Sequence, residues 1–210
     1  MLAHRHDTGE AVVALTFDDG PAPWTGPILD LLAAHEGHAT FFVLGSAVAG
    51  DERRGTLHRI VAEGSELGDH TFTHPRLPTL ADAAIFDELA RARSVIEETS
   101  ETKLRHWRPP FYDADERVRQ AAAPLGLRKV GCSVMPLDWE WDAEQTAEFV
   151  TTRLRSGSIV GLHDGRPPHE PAALSRPTRE ATVAAVGMIL DAMSNRGLRS
   201  VTISELLAAR

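Results

Sequence analysis

Apolar residues along the chain gather in short runs divided by longer stretches of mixed polarity. Residues 12–17 form one such run, rich in β-branched side chains, and it ends in Asp18-Asp19-Gly20-Pro21. Its length predicts a buried strand that the Gly-Pro pair breaks into a loop. Further strands are predicted over 39–44, from 66 to 68, over 105–108, 127–133 and 158–162, and last over 199–202. Between them the apolar positions recur at helical spacing. Ile28, Leu29, Leu31 and Leu32 mark a helix over 28–34, and Ile85, Leu89, Ala92 and Ile96 mark a long amphipathic helix over 81–102. Helices are also expected over 57–63, 115–123, 144–155 and 178–195, the last closed by Gly197. Ser204 is expected to cap a terminal helix.

Strand and helix thus alternate about seven times, the pattern of an α/β chain with parallel strands and helical crossovers, either a barrel or a doubly wound sheet. No glycine-rich phosphate loop follows the first strand, which argues against a dinucleotide fold. At 210 residues the chain is about one domain. Residues 1–10 read as an N-terminal extension and 11–210 as the folded unit. The proline-rich segment 166–177 is a candidate substrate loop, with a plain surface insertion as the alternative.

Composition narrows the class. The net charge of −8 argues against nucleic acid as a partner, since such a surface needs cations to displace counterions. No stretch approaches the roughly 20 apolar residues of a spanning helix, so no membrane is expected. The first ten residues hold no apolar signal core. The expectation is therefore a cytoplasmic protein, or a secreted one if a leader has been removed. Cys132 is the only cysteine and forms no internal disulfide.

The polar residues with chemical capacity fall at the predicted C-terminal ends of strands, the active face of parallel α/β folds. Asp18 and Asp19 end the first strand, and Asp69 and His70 the third. Arg108 ends the fourth, Asp138 and Trp139 follow the fifth, and His163 and Asp164 end the sixth. His70 and His74, four apart on a helical turn, would aim two imidazoles at one metal, with Asp19 as third ligand. Two neutral imidazoles and a carboxylate leave positions open for water and substrate. Zinc suits them, with cobalt and nickel as alternatives. If Asp19 holds the metal, Asp18 can reach the water. His163 suits a general acid, with Asp138 to orient its ring. In Arg108-Pro109-Pro110-Phe111 the prolines stiffen the chain and leave the Phe111 and Tyr112 amides as the next donors. An amide aimed at the site would stabilise an oxyanion by ~3 kcal/mol. Trp139 and Trp141 could stack on a sugar or pack in the core.

Together these residues resemble the polysaccharide deacetylase family, carbohydrate esterase family 4. Thr16-Phe17-Asp18-Asp19-Gly20-Pro21 and His70-Thr71-Phe72-Thr73-His74-Pro75 resemble its first two motifs. Arg108-Pro109-Pro110-Phe111, Asp138-Trp139 and Leu162-His163-Asp164 resemble the next three. The resemblance spans residues 11–207 and implies a single-domain, distorted (β/α) barrel of seven or eight strands. It implies one divalent metal on Asp19, His70 and His74, with Asp18 as base on the metal-bound water and His163 as acid. Arg108 would steady Asp18, Asp138 would tune His163, and the Phe111 amide would hold the oxyanion. The implied reaction is hydrolysis of acetyl groups from an N- or O-acetylated carbohydrate, with Trp139, Tyr112, Leu162 and Gly161 near the substrate and no obligate protein partner.

One departure stands out. The family's fifth motif usually has leucine, lining the acetyl pocket, where this chain has Gly161. Either the pocket is wider, or Leu162 fills it from a shifted backbone. Together with the missing signal, this keeps open a hydrolase of another non-peptide C–N bond, a cyclic amide or formamide, in a small N-acylated intracellular metabolite. A catalytically silent sugar-binding module is a third reading. Retention of both Asp18 and His163 opposes it, because binding alone needs neither base nor acid.

Overall fold

The structure, a computed structural model, describes residues 9–49, 53–167, 169 and 176–209. Seven parallel strands form one sheet: β1 (Val12–Gly20), β2 (Thr40–Val43), β3 (Glu66–Asp69), β4 (His106–Trp107), β5 (Arg128–Lys129), β6 (Ile159–His163) and β7 (Arg199–Val201). Their order is β5-β4-β3-β2-β1-β6, with β7 also paired to β1. Helices α1 (Thr25–Ala34), α2 (Gly45–Val48), α3 (Arg54–Ala62), α4 (Asp82–Ser100), α5 (Glu116–Ala122), α6 (Ala143–Arg153), α7 (Glu180–Asn195) and α8 (Ile203–Ala208) connect or follow them.

All nine residues of β1 are buried, because both faces are covered. Val13, Leu15 and Phe17 face the helices in the main core, and Val12 and Ala14 face inward. The inner cluster also holds Phe42, Val130 and Ile159, and Ile203 and Leu206 of α8 plug it from below.

The sheet curls like a barrel but does not close as a continuous ladder. The predicted strand 127–133 is realised only over Arg128–Lys129. Beyond it the chain leaves β4 and crosses to β6, which it meets through one isolated bridge, Val134 to Val160. The Gly131 carbonyl along this crossing accepts from the Arg108 guanidinium at 3.1 Å instead of joining a ladder. The terminal helix is capped by Thr202, not Ser204: Thr202 and Glu205 form a reciprocal capping box. The Ser204 hydroxyl donates instead to Glu66 Oε1 at 2.5 Å.

Candidate active site

A break in strand regularity builds the site. Asp18 continues the inward-facing series of β1 and is the register partner of His163 on β6. Strict alternation would send Asp19 outward. Instead the register against β2 slips between Asp18 and Gly20, and Asp19 takes a left-handed φ of 74°. The bulge brings both carboxylates to one end of the barrel. A side chain at Gly20 would collide with the Asp164 carboxylate, which accepts from Thr25 Oγ1 at 2.5 Å and so braces the bulge.

His70 and His74 do converge, but not on a helical turn as predicted. The stretch after β3 is a loop with Thr71 at φ 73° and His74 at φ 62°. Asp69 Oδ1 accepts from the Thr71 amide at 2.7 Å, and Glu88 on α4 accepts from the Phe72 and Thr73 amides at 3.0 and 2.8 Å. His70 Nδ1 donates to the Arg108 carbonyl at 2.8 Å, which turns Nε2 toward Asp19. The two Nε2 atoms lie 3.4 Å (His70) and 3.3 Å (His74) from Asp19 Oδ1. That oxygen is buried and makes no hydrogen bond.

These observations fit a cation. Ligand bonds of about 2.0–2.2 Å at tetrahedral angles separate the ligand atoms by about 3.3–3.6 Å. Burial would raise the Asp19 pKa, but the facing His70, His74 and His163 imidazoles hold it far below the carboxylate range. Burial lowers His74 to about 4, leaving a neutral ring. His70 is raised: burial opposes its charge, but Asp18 and Asp19 outweigh it.

Arg108 is fully buried and donates through Nη1 to Asp18 Oδ1 at 2.7 Å and to Thr16 Oγ1 at 2.8 Å. Its guanidinium also lies 4.1 Å from the Phe42 ring centroid. On the other side, Asp138 Oδ1 accepts from His163 Nδ1 at 2.8 Å, and Oδ2 accepts from the His163 amide and Thr182 Oγ1, both at 2.9 Å. Burial opposes the His163 charge, but Asp138, with Asp19 and Asp18, lifts it to about 9. Past the two prolines, the Tyr112 and Asp113 amides turn back to the Pro109 and Pro110 carbonyls. Pro109 and Pro110 carry no N–H, so the Phe111 N–H is the first backbone donor after Arg108.

A cleft of about 550 Å³ joins these groups. Asp18, Asp19, His70, His74, Phe111, Tyr112, Trp139 and His163 all line it, and Trp139 stands edge-on to His163 at 4.9 Å. Trp141 packs on Phe149 and takes no part. Of the proline-rich segment 166–177, Pro167 and His169 border the cleft, while 168 and 170–175 lie outside the described residues. Residues 1–8 of the expected extension also lie outside them.

A sequence model of the polysaccharide deacetylase family matches residues 5–130. The chain belongs to this family. It is 37% identical to a chitooligosaccharide deacetylase of Bradyrhizobium sp. (strain ANU 289) over 203 residues, 95% of this chain and 92% of that protein. It is 33% identical to a peptidoglycan-N-acetylglucosamine deacetylase of Bacillus cereus, covering 94% and 89% of the two chains. The structure of peptidoglycan deacetylase PdaC from Bacillus subtilis superposes with a TM-score of 0.82 at 31% identity, covering 95% of this chain and 91% of that one.

For this polysaccharide deacetylase, both readings of the Gly161 departure need correction. Leu162 is wholly buried in the core against the helices and does not line the cleft. Nor is the space beside Gly161 open. A Cβ there would stand 2.6 Å from the Tyr112 hydroxyl. Sequence reasoning also missed Thr16, Glu88 and Thr182. Glu88 and Thr182 sit on helices amid ordinary amphipathic patterns, and nothing in their local sequence marks them.

Proposed function

We propose that this metal-dependent carbohydrate deacetylase acts on N-acetylglucosamine units of an oligosaccharide or glycan, through the residues gathered in the cleft. The observation that carries the reading is the register pairing of Asp18 with His163, each held by a buried opposite charge. Asp18, aimed by Arg108, takes the proton of the attacking water. The acetyl oxygen accepts from the Phe111 N–H. His163, charged at neutral pH through Asp138, gives its proton to the leaving nitrogen as the C–N bond breaks, releasing amine and acetate. A divalent ion held by Asp19, His70 and His74 supplies Lewis acidity at this point, and zinc suits one carboxylate and two imidazoles. Trp139 offers a ring face to the sugar.

The test is acetate release from N-acetylglucosamine oligomers by metal-stripped protein, with zinc, cobalt or nickel added back. Release restored by one equivalent of metal supports the reading. No release from any acetylated sugar, with the metal bound, overturns it.

A further inference from the structure

We infer that Tyr112 sets the length of acyl group this site accepts, its ring closing off a space in the barrel interior that Gly161 and Cys132 would otherwise open to the cleft. The inference rests on the deacetylase reading above.

The geometry follows from strand parity. On β6, Ile159 faces inward and Val160 and Leu162 face the helices, so Gly161 and His163 also face inward. Gly161 is thus one inward step below His163, and it carries no side chain. The Tyr112 hydroxyl occupies the space, 2.6 Å from where a Cβ would stand, with Cys132 Sγ 3.4 Å from the same point.

Two successive left-handed residues deliver the ring there: Phe111 at φ 57° and Tyr112 at φ 55°. They leave the Phe111 ring 55% exposed while the Tyr112 ring reaches inward, 5.4 Å from the Arg108 guanidinium. The hydroxyl meets the Cys132 thiol in a hydrogen bond, and burial keeps the phenol neutral well beyond its ordinary range.

The reaction leaves this wall for the acyl tail. An acyl carbon under attack has four directions. Its oxygen points to the Phe111 N–H, its nitrogen to His163, and the incoming water to Asp18. Of the remaining cleft wall, the apolar side chains able to face the carbon substituent are Tyr112, Met135, Trp139 and Pro167, and of these Tyr112 is the one next to the Phe111 N–H in the chain. Tyr112 adjoins the carbonyl donor in the chain, so the turn that places the oxygen also places the limit. One methylene in such an apolar pocket discriminates by about 10–200-fold.

The test compares kcat/KM on glucosamine oligomers carrying N-acetyl, N-propionyl or N-butyryl groups, read as free amine. Wild type is expected to favour acetyl over propionyl by about tenfold or more. Tyr112→Ala should close or reverse that gap, and Gly161→Leu added to it should refill the space and restore it. An unchanged acyl ratio in Tyr112→Ala overturns the inference, as does a double variant that keeps the relaxed ratio. Should Tyr112→Ala release nothing, Tyr112→Phe decides. A shift of about twofold or more toward propionyl supports the inference, and an unchanged ratio overturns it. A wild type inactive on all three substrates overturns the deacetylase reading itself, a result distinct from active variants that keep the wild-type ratio.

Discussion

The two ends of the barrel carry polar clusters built to opposite rules. At the lower end, Glu66 accepts from Thr40 Oγ1 at 3.0 Å, the Ser204 amide at 3.1 Å and the Ser204 hydroxyl, and His106 Nε2 meets the same hydroxyl at 3.1 Å. These contacts pin α8 beneath β2, β3 and β4. At the upper end, buried Asp19 Oδ1, Asp69 Oδ2, Asp164 Oδ1 and Arg108 Nε make no hydrogen bond. Strain gathers there too. Asp19, Thr71, His74, Phe111 and Tyr112 all have positive φ, and elsewhere among the described residues only Glu36 and Glu101 do so without being glycine. Left-handed backbone at a bulky residue costs roughly 1–3 kcal/mol each. The lower cluster spends its polar atoms on the fold and leaves only His106 Nδ1 unpaired, while the upper one leaves four such atoms, of which Asp19 Oδ1 belongs to a residue lining the cleft.

Substitutions at the upper end should therefore separate chemistry from binding. Asp18→Asn should cut kcat by about 10²–10⁴ while metal stoichiometry stays at one. His74→Ala should lose both metal and activity, and equal metal loss in the two variants would contradict the assigned roles. Arg108→Leu leaves Asp18 buried without its partner. Denaturant unfolding should show about 3–5 kcal/mol of lost stability, along with weakened activity.

The pH profile sharpens the contrast further. In the proposed mechanism His163 acts in its protonated form, and its pKa is raised to about 9, so activity should persist at neutral pH and fall as pH rises through about 9. Asp138→Asn should move that limb down toward or below the ordinary 6.5. A limb unmoved by Asp138→Asn would assign the titration to another group. The smallest effect belongs to the lower end. Ser204→Ala should cost about 1–2 kcal/mol in unfolding and leave kcat/KM unchanged.

Much of this organisation is legible in the chain. Apolar runs placed the strands, and the clusters at or just after their C-terminal ends picked out Asp18, Asp19, His70, His74 and His163, which the structure gathers around one cleft, because strand polarity brings such positions to one face. What stayed hidden depends on backbone outside regular geometry. Alternation cannot show that Asp19 is a bulge, and spacing suggested a helical turn for a His70–His74 loop that Glu88 holds from a distant helix. Tyr112 was identified as near the substrate. That its hydroxyl stands in for a side chain at position 161 follows only from two consecutive left-handed residues. The Thr202 cap was missed because Ser204 offers the same chemistry two residues later.

The place of β1 in the sheet has a consequence for biosynthesis. Thr16 Oγ1 donates to the Val160 carbonyl, a partner 144 positions further on. A ribosome adding roughly 5–20 residues per second needs about 7–30 seconds to supply it. Through that interval the longest strand among the described residues has β2 on one side and an unpaired edge on the other. The burden of solubility during synthesis therefore falls on the first strand, and holdase chaperones would find their target in residues 12–17.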